Sequence, residues 1–179
     1  NRARSAIPPE TIAGIAAAKD STLAMLIEAQ RRGHELWYFE QGDLRLRNGV
    51  PLGTGRRLRV ADGKTDWYEL GSGREMLLGE LDMLLMRKDP PFDTEYIYTT
   101  YILERAEQAG VLVLNRPASL RDINEKAFTA CFPQCCPDTL ITRSMADMRA
   151  FLAEHRKIVV KPLDAMGGSA DALVVNETN

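Results

Sequence analysis

The chain has 179 residues, 45% of them hydrophobic and 7% aromatic, enough for one substantial core and part of a second. Lys and Arg number 23 against 25 Asp and Glu, a net charge of -2 with no like-charge block. The electrostatic footprint of a nucleic-acid or anionic-membrane partner is therefore missing, and a small-molecule partner is favoured. No run approaches the roughly 18 apolar residues of a membrane span. Pro8, Pro9 and Glu10 interrupt the short apolar stretch that follows Arg2 and Arg4, which argues against a secretory leader. Cys131, Cys135 and Cys136 suit neither a disulfide framework nor a zinc pair, and they read as reduced packing thiols in a cytoplasmic protein. The sequence opens at Asn1 without a methionine and stops at Asn179 soon after a strand-like run, so it reads as a fragment.

In chain order, Asp20-Ser21 caps a helix whose Leu23, Leu26 and Ile27 share one face and which ends at Gly33. The apolar run Leu36-Trp37-Tyr38-Phe39 then reads as a largely buried strand. From Asp43 to Leu70, Asn48-Gly49 and Asp62-Gly63 mark turns in an antiparallel excursion, and Gly53-Thr54-Gly55 and Gly71-Ser72-Gly73 read as turn glycines. Leu81 to Met86 is a further strand. It ends in Arg87-Lys88-Asp89, where the ligand contacts of an open α/β sheet are expected. Asp93 caps a helix in which Ile97, Tyr101, Ile102 and Ala106 recur at helical spacing, so Tyr101 reads as core, and Gly110 closes it. Val111 to Leu114 is the next strand. The succession predicts a doubly wound, mostly parallel sheet over residues 1–120, with the strands at 36–39, 83–86 and 111–114 as neighbours flanked by helices at 21–32 and 94–109. Residues 5–11 are expected to contribute little strand, because Pro8 and Pro9 each lack a ladder donor.

A second, incomplete α+β domain is expected over residues 121–179. Arg121 to Phe132 looks helical, Thr139 to Ile141 looks like a short strand, and Ser144 with Asp147 opens a helix bearing Met148, Phe151 and Leu152. Ile158-Val159-Val160 delivers Lys161 to a strand end, because Pro162 cannot continue a ladder. Gly167-Gly168-Ser169 follows as a loop whose backbone N–H groups can converge on a phosphate. Asp171 to Val175 returns as a strand, which puts that loop at a hairpin tip.

Several runs, in order, resemble bacterial glutathione synthetase: Lys19-Asp20-Ser21-Thr22, Glu28-Ala29-Gln30-Arg31-Arg32-Gly33, Met86-Arg87-Lys88-Asp89-Pro90-Pro91-Phe92-Asp93-Thr94-Glu95, Asn124-Glu125-Lys126 and Lys161-Pro162-Leu163-Asp164. Tyr101-Ile102-Leu103-Glu104-Arg105-Ala106 belongs to the same series, and the likeness extends from about Lys19 to Gly168. The resemblance implies an ATP-grasp ligase acting on γ-glutamylcysteine, glycine and ATP with Mg2+, in which Lys126 and Lys161 hold ATP phosphates and Gly167, Gly168 and Ser169 close over them. Arg87, Lys88, Asp89, Asp20 and Ser21 are the candidates for the γ-glutamylcysteine side. The family also suggests homo-oligomers, for which the excursion at 43–70 offers a surface.

Two positions depart from the family. Ala165 stands where the family has glycine; if that position needs φ > 0, the alanine costs roughly 1–2 kcal/mol and biases the loop. The proline-bearing stretch from Ala6 to Thr11 replaces the family's valine-rich first strand, so the sheet is expected to lack that strand. The family's Mg2+ ligands are expected beyond Asn179, which leaves this chain without metal ligands and without ligase activity of its own. Two alternatives stand beside this reading: another ATP-grasp carboxylate–amine ligase, or a non-catalytic binding module derived from one.

Overall fold

Two glycines end the helices around which the first half of the chain folds. In the computed structural model, which describes residues 4–7, 12, 21–63, 66–87, 92–163 and 173–176, helix α1 (Ser21–Arg31) stops where Gly33 takes φ 81°. The Gly33 N–H bonds the Gln30 carbonyl at 2.9 Å and the His34 N–H bonds that of Ala29 at 3.0 Å. Helix α2 (Thr94–Gln108) ends the same way at Gly110, φ 100°, with the Val111 N–H on the Ala106 carbonyl. Glycine enters the left-handed region without a Cβ penalty, and the turn satisfies carbonyls that the helix leaves unpaired. Asp93 opens α2 by accepting the Tyr96 N–H at 2.8 Å. Each glycine passes the chain straight into a strand, β2 (Glu35–Tyr38) after α1 and β7 (Leu112–Leu114) after α2.

Strands β1 (Arg4–Ile7) and β6 (Met83–Leu85) complete a parallel core in the order β2-β1-β6-β7. Strands β3 (Leu44–Arg47), β4 (Val50–Val60) and β5 (Tyr68–Leu77) extend it antiparallel, β4 pairing with β2, β3 and β5. Asn48 and Gly49, both at positive φ (53° and 79°), make the two-residue turn between β3 and β4. On β2, Leu36 and Tyr38 join Leu23 and Leu26 of α1 in one buried cluster, while Trp37, with Phe39 just beyond the strand, joins Leu103 and Ala106 of α2 in the other. Apolar side chains on both faces of a strand require a covering layer on each, and α1 and α2 supply them: the doubly wound α/β arrangement.

Several expectations for this half are corrected. The sheet has its first strand: β1 lies between β2 and β6, so those two are not neighbours. The prolines do not prevent it because pairing ends at Ile7↔Tyr38, before Pro8 is reached. The excursion runs to Leu77, and its glycines are in strands rather than turns. A Cβ at Gly53 would lie 2.7 Å from the Phe39 ring and one at Gly55 2.8 Å from it, so these positions are bare because a buried aromatic ring occupies the space. The turn expected at Asp62-Gly63 is present between β4 and β5, where the Ala61 N–H bonds the Trp67 carbonyl. Tyr101 is 45% exposed, and Arg121 lies 4.6 Å over its ring; the buried stripe of α2 is Tyr96, Thr99, Thr100, Leu103 and Ala106.

The chain divides into two compact units, Asn1–Arg121 and Asp122–Asn179. A short helix, α3 (Pro117–Asp122), precedes the second. The helix expected at 121–132 does not continue past it, because Asn124 Oδ1 accepts the N–H groups of Lys126 and Ala127, both at 3.0 Å, and holds the backbone in a local turn. Short 3₁₀ turns follow at Phe128–Cys131 and Pro133–Cys135. Cys131 and Cys135 are exposed rather than packed. Thr139 to Ile141 forms no strand, the Thr139 hydroxyl bonding locally to the Pro137 carbonyl. Helix α4 (Met145–His155) is capped by Ser144, which accepts the Asp147 N–H at 3.2 Å, and Met148, Phe151 and Leu152 form its half-buried face. Strands β8 (Lys157–Val160) and β9 (Leu173–Asn176) pair antiparallel.

Candidate functional site

In the parallel core, β1 and β6 are adjacent, but the chain leaves β1 toward β2 and leaves β6 toward β7. The crossovers therefore diverge at the carboxyl ends of these two strands, which is the usual ligand position in open α/β sheets. Two elements face this end: the start of α1, which follows β1, and Arg87, which follows β6. Arg87 Nε donates to Thr22 Oγ1 at 3.2 Å, and its Nη2 donates to Ser21 Oγ at 3.2 Å. The first-turn N–H groups of a helix and a guanidinium both favour a carboxylate or phosphate. The contact joins Ser21 and Arg87, two of the candidates, across a sequence separation of 66.

Thr22 was not among the candidates, since a threonine early in a helix reads as part of its cap. The distinguishing feature is burial, at 4% exposure, which periodicity does not reveal. One strand away, Tyr38 carries a phenol pushed up to about 12, chiefly by burial, with its oxygen accepting the Ile12 N–H at 3.0 Å. Asp20, Lys88 and Asp89 lie outside the described residues.

A second group of candidates gathers in the other unit at the exit of β8. Lys161 is exposed directly after that strand. Lys126 Nζ donates to the Pro162 carbonyl at 2.6 Å, and Asn124 Nδ2 to the Leu163 carbonyl at 3.4 Å. The Asn124 turn thus carries the Lys126 ammonium to the backbone of the residue after Lys161. Glu125 is 3.9 Å from the Lys126 ammonium. Gly167, Gly168, Ser169 and Ala165 lie outside the described residues. Among the described residues no group of three or more His, Cys, Asp or Glu side chains could hold a metal ion, and no helix is long and apolar enough to cross a membrane.

Solved structures show the fold first. The ATP-grasp ligase PsnB, in a complex with its precursor peptide and AMPPNP, matches with a TM-score of 0.55 at 16% identity over 98% of this chain and 58% of that one. In a complex with a minimal precursor, Mg and ADP the TM-score is 0.56, also at 16% identity. The fold is that of ATP-grasp ligases.

Sequence then narrows the class. The family described as prokaryotic glutathione synthetase matches with its N-terminal domain over residues 4–121 and its ATP-grasp domain over residues 125–179, and the chain belongs to that family. The glutathione synthetases of Yersinia pestis and Vibrio cholerae are 55% and 52% identical to it over 161 residues, or 90% of the chain. That of Escherichia coli (strain K12) is 53% identical over the same length. The chain spans about half the length of these relatives, 50% to 51%.

Proposed function

We propose that this chain supplies the N-terminal half of a glutathione synthase, which joins γ-glutamylcysteine to glycine and converts ATP to ADP and phosphate. The observation that carries the reading is the Arg87 guanidinium fixed against the start of α1 at the carboxyl ends of β1 and β6, in a chain of this family. In the reaction the γ-phosphoryl group of ATP passes to the cysteinyl carboxylate, giving an acyl phosphate. The glycine amine attacks the acyl carbon, phosphate leaves with the C–O bonding pair, and the nitrogen loses a proton as the amide forms. Chemistry of this kind depends on positioning and on neutralising phosphate charge.

Arg87, Ser21 and Asp20, with Lys88 and Asp89, take the γ-glutamylcysteine side in this reading. Lys126 and Lys161 take the ATP phosphates, and Gly167, Gly168 and Ser169 form the loop that closes over them and excludes water from the acyl phosphate. Residues 1–120 serve as the substrate domain and 121–179 as the start of the ATP-binding domain. Mg2+ would neutralise phosphate charge, and no group of three or more His, Cys, Asp or Glu among the described residues could hold it. The setting is a cytoplasmic homo-oligomer.

The test compares the full-length protein with the 179-residue chain, each given ATP, Mg2+, γ-glutamylcysteine and glycine, with glutathione quantified by thiol labelling. Full-length protein forms glutathione. The 179-residue chain stays at the level of its own Lys161→Ala variant, because each missing preorganised contact costs about 3–4 kcal/mol of barrier. Glutathione from the short chain above that variant would show that its residues suffice. No glutathione from the full-length protein would overturn the reading in favour of another amine or carboxylate substrate.

A further inference from the structure

Thr99 and Thr100 donate within α2, to the Glu95 carbonyl at 2.9 Å and the Ile97 carbonyl at 2.6 Å, and Thr100 also accepts from Arg121 Nη1 at 3.2 Å. Thr22 accepts from Arg87 Nε at 3.2 Å. With Ser21 Oγ on Nη2, both hydroxyls lie along one edge of the guanidinium, the side formed by Nε and Nη2. The end formed by Nη1 and the second Nη2 hydrogen keeps the fork geometry that a carboxylate meets with two parallel bonds.

The partners are also electrically neutral. Arg57 meets Glu35 at 2.6 Å and Arg121 meets Glu104 at 2.8 Å, so their charges are cancelled within the chain. Among the described residues Arg87 has hydroxyl partners and no carboxylate. Two hydroxyls aim the group without discharging it. Thr22 itself cannot drift, because Leu23 and Leu26 beside it are 4% exposed and anchor α1 in the core.

We propose that Thr22 is a positioning residue for Arg87: its buried hydroxyl fixes the guanidinium plane at the end of β6 so that the outer edge receives a carboxylate of the γ-glutamyl dipeptide. The inference rests on the reading of Arg87 given under the proposed function. An arginine held in its bound geometry beforehand loses less side-chain freedom when the anion arrives, so the gain falls on affinity for that one substrate. A threonine needed only to cap or pack α1 would affect stability and both substrates alike.

Steady-state kinetics of the full-length protein separate these. Thr22→Val removes the acceptor and keeps the shape; the KM for γ-glutamylcysteine rises about tenfold while the KM for ATP and the thermal midpoint stay unchanged. Thr22→Ser restores the KM, and Thr22→Ala repeats the Val result should Val fail to fold. Arg87→Ala raises the same KM at least as far. An unchanged dipeptide KM in Thr22→Val beside a raised one in Arg87→Ala overturns the inference and leaves the site reading standing, as does a parallel rise in both KM values. An unchanged KM in Arg87→Ala overturns the site reading, and the inference with it.

Discussion

The two units put similar apolar sequence to different use. In β2, Leu36, Trp37 and Tyr38 are 1%, 8% and 1% exposed, because α1 covers one face of the strand and α2 the other. In the β8–β9 hairpin, Val159, Leu173 and Val174 are 56%, 65% and 47% exposed, and none of the described residues from 122 onward is buried. An apolar run can specify a strand, but only a second layer buries it. Each fully buried side chain contributes roughly 1.5–3 kcal/mol, whereas a two-stranded hairpin with one helix has little of that to offset its ordering entropy. Within these 179 residues the described part of the second unit is therefore the less stable of the two, open to local unfolding.

The largest expected effect contrasts Phe39→Ala with Val159→Ala. Phe39 is 1% exposed, and its truncation should destabilise the first unit by about 3–5 kcal/mol, while Val159→Ala should stay within about 0.5 kcal/mol. Trp37 and Trp67 are the only tryptophans and both lie in the first unit, so denaturant curves followed by fluorescence read it selectively. A large Val159 effect on amide exchange in β8 would show a second-unit core that the exposures deny.

Next comes Gly55→Val, which drives methyl groups into the Phe39 ring and should cost about 1–3 kcal/mol. Adding Phe39→Leu should recover part of that loss, since the ring is what fills the space. Additive losses in the double variant would refute this account of the strand glycines.

The smallest is confined to alkaline solution. Tyr38 has its phenol held up to about 12, above the unfolded value near 10, so the neutral form stabilises the fold. That contribution is complete below about pH 10 and is lost as the pH rises through about 12. All five tyrosines belong to the first unit, so phenolate absorbance follows it alone. The wild type should lose stability between pH 10 and 12, and Tyr38→Phe should flatten that fall; an equal slope in the variant would assign it to other groups.

The same contrast explains what could be read in advance. Helix ends were legible because Gly33 and Gly110 carry their reason locally, as Asn48-Gly49 does for its turn. The strand glycines were not, because Phe39 is brought over Gly53 and Gly55 only by the pairing of β4 with its neighbours. β1 was obscured by prolines that fall one residue after its last pair. At the site, Arg87 and Ser21 were legible as charged and capping residues. Thr22 was not, because its role follows from burial and from a contact made 65 residues away. In the second unit Lys126 and Lys161 were legible as cations, but the Asn124 turn that carries Lys126 to the chain beside Lys161 looked like continuous helix.

The position of β1 bears on the order in which the polypeptide can be assembled as it leaves the ribosome. Strand β1 precedes both of its partners yet sits inside the sheet, paired to Glu35–Tyr38 on one side and to Met83 and Leu84 on the other. Its first partner follows it by about thirty residues and its second by nearly eighty. Until then one edge of β1 is an open row of donors and acceptors, which the nascent chain or a chaperone must keep from pairing elsewhere. Since β1 joins β2 to β6 in the sheet, a substitution that disturbs Arg4–Ile7 would part the strands whose ends carry Arg87 and the start of α1, without changing any side chain of the site itself.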